Sequence, residues 1–137
     1  MTVNNQRTYL CLDVGGQRIG LAWGDSIGRI AQPLKTVSAD DEGIGEINRI
    51  VQDMRVTDLV VGLPRDQRGE ETSQTTTVKQ FTATNLAPLR LPIHWQDESV
   101  TSIMAEQRLT ESGKRFHKAD IDAEAAAIIL QDYLEGV

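Results

Sequence analysis

Apolar segments bounded by glycine-containing turns dominate the first part of the chain. The segments TYLCLDV and RIGLAWGD are rich in aliphatic residues, and the short turn between them contains Gly15 and Gly16. This pattern predicts two neighbouring antiparallel strands. The next apolar stretch, RIAQPLKTV, predicts a third strand whose regularity Pro33 limits. We therefore expect a three-stranded meander formed by residues 8–14, 18–25 and 29–37.

The rest of the chain alternates between helical and strand patterns. Apolar residues recur at helical spacing from Ile44 to Met54, and TDLVVGLP is an almost continuous apolar run, typical of a central parallel strand. The order predicts one α/β domain over residues 1–137, with a mixed sheet of about five strands and helices on both faces. The later elements are predicted as a helix at 71–86, a strand at 91–98, a helix ending at Gly113 and a helix at 121–137.

Composition narrows the class of protein. A chain of 137 residues, 39% hydrophobic and 25% charged, is typical of one globular domain. Its net charge of −6 argues against a protein that coats nucleic acid by bulk electrostatics, but not against an enzyme with local basic groups. The single cysteine, Cys11, is expected to be a buried apolar residue. We find no secretion signal and no membrane-length apolar run, so we expect a cytoplasmic protein.

Four acidic residues stand out by position. Asp13 and the pair Asp97–Glu98 each follow an apolar strand, at the sheet edge where α/β proteins bind ligands. Strand ends also tolerate acids simply because they meet solvent. Asp122 lies in line with the buried stripe of the last helix, where an ionised carboxylate needs a partner or a cation. The helix dipole and Lys118 offer a purely structural alternative for Asp122.

Three carboxylates at one sheet edge predict a site for hard cations. Mg²⁺ or Mn²⁺ prefers oxygen ligands, and two such ions can activate a water and stabilise the leaving oxygen of a phosphodiester. The sequence gives no strong case for zinc, because His94 and His117 are far apart and Cys11 lies within a strand. It also lacks a Walker A motif and a G-x-S-x-G nucleophile elbow.

The chain resembles the YqgF family of small RuvC-like nucleases along nearly its whole length. Five segments carry the resemblance in order: LDVGGQRIGLAWGD, AQPLKTV, LVVGLP, QDESVTS and DIDAEAAAIILQDYL. The resemblance implies an RNase H-like fold and catalytic, metal-binding roles for Asp13, Glu98 and Asp122, so it selects Glu98 over Asp97. It implies processing of the 5′ end of precursor 16S rRNA, or, as the competing interpretation of the family, resolution of branched DNA at Holliday junctions. Ser99 departs from the family, which usually has arginine there.

Several basic residues are candidates for contacts with phosphates. Arg18 follows the glycine turn and could hold a phosphate or pair with a neighbouring acid; the glycines could serve the turn or the substrate. We expect nucleic acid as partner, either pre-rRNA or branched DNA, with the small ribosomal subunit as a further one. We expect no membrane partner and a monomer or homodimer. Alternatives are a binding module that no longer cuts and an actin-like phosphotransferase. The predicted nucleic-acid-binding residues are Arg18, Arg65, Arg68, Lys114, Arg115 and Lys118.

Overall fold

In the described part of the chain, five strands and four α-helices follow one another in the order that the sequence predicts. The structure is a computed structural model that describes residues 5–66, 68–98, 101–113, 115 and 117–137, apart from the side chains of residues 101–103. The strands form one sheet of order β3-β2-β1-β4-β5. The elements are β1 (Thr8–Val14), β2 (Arg18–Asp25), β3 (Gln32–Ser38), α1 (Asp41–Asp53), β4 (Asp58–Pro64), α2 (Ser73–Phe81), β5 (Ile93–Glu98), α3 (Thr101–Glu111) and α4 (Lys118–Gly136).

The sheet combines an antiparallel meander with parallel additions. β1, β2 and β3 pair antiparallel in sequence, and β4 then pairs parallel to β1, as β5 does to β4. The first turn is tight because the Gly15 amide donates to the Arg18 carbonyl at 2.9 Å. A Cβ built on Gly15 would lie 2.8 Å from that carbonyl oxygen, so the turn itself requires glycine there. The predicted mixed five-stranded sheet is confirmed.

Each face of the sheet buries its own apolar core. On β1, Leu10 and Leu12 face the core that α1 and α2 cover. Cys11, between them, faces the core that α4 covers, as predicted for a buried cysteine. Because side chains alternate along a strand, Asp13 shares the α4 face with Cys11. The helices therefore lie on both faces, and α4 covers the face from which Asp13 projects.

Three element boundaries differ from the prediction by three residues or more. The third strand begins at Gln32 rather than Arg29, whose φ of +57° places it in a turn. The second helix ends as a regular α-helix at Phe81 and continues through a π turn at Thr82–Leu86 and a 3₁₀ turn at Ala87–Leu89. The last helix begins at Lys118, three residues earlier than predicted. None of these shifts moves an element to another place in the fold.

The exposure of Trp95 and the length and polarity of the helices both bear on function. Trp95 is 41% exposed because β5 is the edge strand of the sheet. Within the described residues, the helices are too short or too polar to cross a lipid bilayer.

Candidate metal and nucleic-acid site

Asp13 stands at the carboxyl end of β1, half-buried under α4. It is the penultimate residue of the strand and is paired in register with Gly20 of β2. Gly20 has no side chain, and a Cβ built there would lie 2.0 Å from the backbone oxygen of Asp122. The second turn of α4 thus packs directly on the strand beside Asp13. The β hairpin and the last helix together bring Asp13 and Asp122 to the same edge of the sheet.

Glu98 reaches the same place from the edge strand. It is the last residue of β5, on the α4 face that His94 shares, and its side chain is hydrogen-bonded to that of Asp13. The intervening strand, β4, offers no obstacle because Gly62 lies beneath the carboxyl group. A Cβ built on Gly62 would lie 2.2 Å from Glu98 Oε2. Glu98 therefore crosses β4 through space that only a glycine leaves open.

Asp97 faces the other way. Its carboxylate forms an ion pair with Arg65, in which Oδ1 lies 3.0 Å from Arg65 Nε, and its side chain is largely exposed. Alternation along β5 accounts for the difference, because adjacent residues project to opposite faces of the sheet. Of the two adjacent acids, Glu98, which the family resemblance selects, is the one on the α4 face.

Burial raises the pKa of both hydrogen-bonded carboxyl groups. The pKa of Asp13 rises to about 6, through burial and the charge of Asp122, while the hydrogen bond with Glu98 opposes the rise. The pKa of Glu98 rises to about 8, through burial, the charge of Asp13 and the hydrogen bond between them. Both shifts favour a proton shared between the two carboxyl groups near neutral pH, and a nearby cation would favour its release.

Asp122 is the third carboxylate, and Arg18 holds it. Arg18 Nε donates to Asp122 Oδ2 at 2.6 Å, so the partner of Asp122 is Arg18 and not Lys118. Asp122 is half-buried, and Ala125 and Ala126 on the same side of the helix are buried, as the helical pattern predicted. An ion pair across the β hairpin and α4 thus stabilises a carboxylate that would otherwise lie unpaired beside the core.

The donor set suits a hard divalent cation once these partners are displaced. With the side chains as they stand, the described residues contain no group of three or more His, Cys, Asp or Glu side chains in position to hold a metal ion. Two of the three carboxyl groups bond to each other, and Arg18 neutralises the third. All three offer oxygen ligands, the chemistry that Mg²⁺ and Mn²⁺ prefer. Loss of the shared proton and release of Arg18 would free them.

Apart from Arg18, the predicted phosphate-binding residues that the structure describes lie in the loop after β4 and at or just before the start of α4. Arg65 follows β4 and also donates to the Gly69 carbonyl, and Arg68 is exposed in the same loop. Arg115 and Lys118 are exposed at the beginning of α4. Lys114 and Ser99 lie outside the described residues. Arg115 also lines a groove of about 500 Å³ between β3 and the last two helices.

Gly62 and Gly20 are the residues of this site that the sequence analysis missed. A signal was present for Gly62, because a glycine inside the apolar run LVVGLP interrupts a central strand without ending it. Such a glycine often marks a place where another group approaches the backbone closely. Within the strand segment RIGLAWGD, the hydrophobic pattern does not distinguish Gly20 from the second glycine, Gly24.

Comparisons with known proteins place the chain in a family. The model of the family "RuvX: Holliday junction resolvase" matches residues 7–136. A protein of Chloroflexus aurantiacus named "Putative pre-16S rRNA nuclease" is 44% identical over 135 residues, which cover 96% of this chain and 88% of that protein. A protein of the same name from Synechocystis is 41% identical over 131 residues, with 92% and 86% covered.

Solved structures show the same fold at low sequence identity. RuvC of T. thermophilus, in complex with a Holliday junction substrate, aligns with a TM-score of 0.57 and 17% identity over 94% of each chain. The yeast mitochondrial Holliday junction resolvase aligns with a TM-score of 0.52 and 10% identity, over 92% of this chain and 77% of that one. The predicted RNase H-like fold, of the RuvC type, is confirmed. The chain belongs to the RuvX family, which is the YqgF family that its motifs indicated.

Proposed function

We propose that this protein is a divalent-metal-dependent endonuclease that hydrolyses phosphodiester bonds in structured nucleic acid. One observation carries the proposal: carboxyl groups from two separate strands, Asp13 and Glu98, share a hydrogen bond at the sheet edge that α4 covers. Two acids buried against each other destabilise a fold. A cation that binds between them and neutralises their charge would explain why both are present. Asp122 adds a third carboxylate in the second turn of α4, and its charge acts on Asp13.

The proposed catalytic roles follow from position. Asp13, Glu98 and Asp122 would hold two Mg²⁺ or Mn²⁺ ions, and ions bound there would activate a water and stabilise the leaving oxygen. Asp13 is central, because it lies between Glu98 on one side and the Asp122 carboxylate on the other. The half-buried setting of all three keeps the carboxylates oriented and limits their access to bulk water.

Precursor rRNA is the substrate that the relatives favour. The names of the Chloroflexus and Synechocystis proteins refer to pre-16S rRNA, and both are more than two-fifths identical to this chain. We propose that this chain processes the precursor of the small-subunit rRNA, in the cytoplasm. Arg65, Arg68, Arg115 and Lys118, together with Lys114, hold the substrate backbone by charge.

A four-way DNA junction is the second candidate substrate. The family description names Holliday junction resolvases, and the RuvC structure that this fold matches contains such a junction. A junction resolvase and an rRNA nuclease would share the carboxylate site and differ in the shape of nucleic acid that they bind. Substrate comparison therefore separates these two functions, whereas the metal site does not.

Neutral replacement of the three acids tests the proposed function. We expect Asp13→Asn, Glu98→Gln and Asp122→Asn each to reduce Mg²⁺-dependent cleavage of a pre-16S rRNA fragment by at least about 100-fold, because losing an outer-shell partner alone costs about 10–100-fold. Asp97→Asn is the matched control: it removes an adjacent acid from the opposite face and should leave cleavage within about threefold.

The same assay on a four-way DNA junction assigns the substrate. Cleavage of RNA but not of the junction supports the rRNA function, and the reverse supports the resolvase. Binding of either nucleic acid with no cleavage in Mg²⁺ or Mn²⁺ would instead identify a module that binds without cutting. Cleavage that survives all three substitutions would contradict the carboxylate mechanism.

A further inference from the structure

Arg18 forms an ion pair with one of the three carboxylates of the site. It is the first residue of β2, directly after the glycine turn, and its guanidinium binds Asp122, 104 positions further along the chain. Among the ion pairs of the described residues, only that of Arg18 uses one of the three site carboxylates. Any cation that binds Asp122 through the same oxygen must compete with this guanidinium.

The ion pair is placed so that it can be exchanged. The side chain of Arg18 is 44% exposed and that of Asp122 is 24% exposed. Ion pairs in contact with water contribute little to stability, so their replacement by other partners is inexpensive. The guanidinium nevertheless remains tethered at the site, because the Arg18 backbone closes the turn through its hydrogen bond with Gly15.

A cavity beside the ion pair offers the guanidinium a second partner. It has a volume of about 270 Å³ and is lined by Gly15, Gly16, Gln17, Arg18 and Asp122. A Cβ built on Gly16 would meet nothing within 4 Å, so the cavity is open above the turn. A phosphate there would approach both peptide backbone and guanidinium, and arginine binds phosphate oxygens through paired donors.

We propose that Arg18 exchanges partners: it neutralises Asp122 in the metal-free protein and binds a non-bridging phosphate oxygen of the nucleic acid when a divalent cation takes Asp122. This inference rests on the proposed function and adds a coupling to it. The cation releases Arg18 for the phosphate, and the phosphate removes the competitor of the cation. Linkage requires that each ligand tighten the other by the same factor.

Replacing Arg18 should strengthen the binding of Mn²⁺ and weaken the binding of RNA. Without nucleic acid, Arg18→Gln should bind Mn²⁺ about fivefold more tightly, the factor that an exposed ion pair contributes at most. The same variant should bind a phosphorothioate RNA hairpin more weakly in Mn²⁺ and lose the mutual tightening of metal and RNA. Calorimetry measures Mn²⁺ binding, and fluorescence anisotropy measures RNA binding. Arg18→Lys retains the charge and should restore weaker Mn²⁺ binding.

Arg65→Gln is the matched control, because its partner Asp97 lies on the other face of the sheet. This variant should weaken RNA binding and leave Mn²⁺ affinity unchanged. Mn²⁺ affinity that is unchanged or lower in a folded Arg18→Gln would overturn the exchange. So would tightening of RNA by Mn²⁺ that persists in this variant. These readouts need no cleavage, so tighter Mn²⁺ binding in a protein that cuts neither substrate would uphold the exchange while the proposed nuclease function failed.

Discussion

Adjacent acids at the end of β5 have opposite surroundings. Glu98 lies across Gly62 against Asp13, whereas Asp97 is exposed and paired with Arg65. The alternation of side chains explains why only one can reach the α4 face. The sequence predicted that an acid would lie here, but its pattern alone did not select between the two. Selection needs the register of β5 against β4, which is a tertiary contact.

Gly62 is the residue whose substitution separates positioning from folding. We expect Gly62→Ala to displace the Glu98 carboxyl group, since the new Cβ would lie 2.2 Å from Oε2 and 2.8 Å from Ile129 Cδ1. Both atoms end flexible side chains, so the stability cost should be about 1–3 kcal/mol. Mg²⁺-dependent cleavage should fall about 10–100-fold, as it does when a ligand loses its support. Urea unfolding and cleavage rates measure the two effects.

Gly24→Ala is the control for this substitution. Gly24 is also buried within a strand and faces α4, but its nearest side chains are Leu134 and Leu130, remote from the carboxylates. This variant should lose stability to a similar degree and retain cleavage in proportion to its folded fraction. Equal losses of activity in the two variants would mean that Gly62 has only a packing role.

The partner of Asp122 illustrates what residue patterns leave open. Helical spacing placed Asp122 in line with the buried stripe, and its neighbours Ala125 and Ala126 are buried as that pattern requires. The sequence offered Lys118, one turn away, as its cationic partner. The structure instead supplies Arg18 from the first hairpin. Local periodicity determines which face a residue occupies, whereas distant partners depend on how the elements pack.

At the scale of elements, the contact between β2 and α4 fixes the third carboxylate. The backbone oxygen of Asp122 would lie 2.0 Å from a Cβ on Gly20, and backbone cannot yield as a side chain can. We expect Gly20→Ala to lower the free energy of unfolding by about 1–3 kcal/mol and to weaken Mn²⁺ binding at the same time. Urea titrations and calorimetry measure these effects.

Gly16→Ala supplies the matched stability control for Gly20→Ala. A Cβ on Gly16 would meet no atom within 4 Å, so stability should change by no more than about 0.5 kcal/mol. Unchanged unfolding in Gly20→Ala would show that α4 can shift away from β2 without cost, and the close packing of these elements would then not be what positions Asp122.

Elements with strong patterns were predicted better than their ends. The apolar runs of β1, β2 and β4 gave their positions to within a residue or two. The third strand starts late because Arg29 turns back to donate to the Leu134 carbonyl at the end of α4. The last helix starts early because Asp120 accepts from the His117 amide and caps its first turn. Both shifts depend on side-chain hydrogen bonds that hydrophobic periodicity does not register.

At the scale of the whole molecule, buried acids at the two ends of the sheet differ in their partners. Asp58, at the start of β4, is 4% exposed and fully partnered. It accepts from Arg7 Nε at 2.7 Å and from Thr57 Oγ1 at 2.6 Å, and His94 Nε2 lies 2.7 Å from its other oxygen. Burial raises the pKa of Asp58. The hydrogen bonds and the charge of Arg7 lower this pKa by a larger amount, so the net shift is downward.

A lowered pKa means that Asp58 stabilises the fold when ionised. Its contribution is present above the unfolded value of 3.8 and is lost as the pH falls through the folded value. We expect Asp58→Asn to cost about 1–3 kcal/mol near pH 7, because Arg7 and His94 lose their ionised partner. Urea unfolding should show this difference shrinking near pH 3. Asp53→Asn, at the exposed end of α1, is the control and should change stability by about 0.5 kcal/mol or less. A difference that persists undiminished in acid would contradict the ion-pair explanation.

The carboxylate end of the sheet should respond to pH in the opposite direction. The folded pKa values of Asp13 and Glu98, about 6 and about 8, lie above their ordinary values of 3.8 and 4.5. Between these limits the native state binds more protons than the unfolded chain, so the free energy of unfolding falls as the pH rises. We expect the metal-free protein to lose on the order of a few kcal/mol between about pH 5 and pH 8.

Divalent cations should abolish this loss, since they replace the shared proton and bind only the folded arrangement. Urea unfolding at several pH values, in EDTA and in Mg²⁺, measures both effects. The double substitution Asp13→Asn with Glu98→Gln removes the ionisable pair, so its stability should be nearly independent of pH over this range and insensitive to Mg²⁺. Metal-free stability that rises from pH 5 to pH 8 would mean that the carboxyl pair does not hold a proton in the folded protein. The buried carboxyl pair is therefore expected to lower stability in the metal-free protein and to raise it when a cation is bound. On this view, the acids are buried at a cost in stability because the proposed function requires them there.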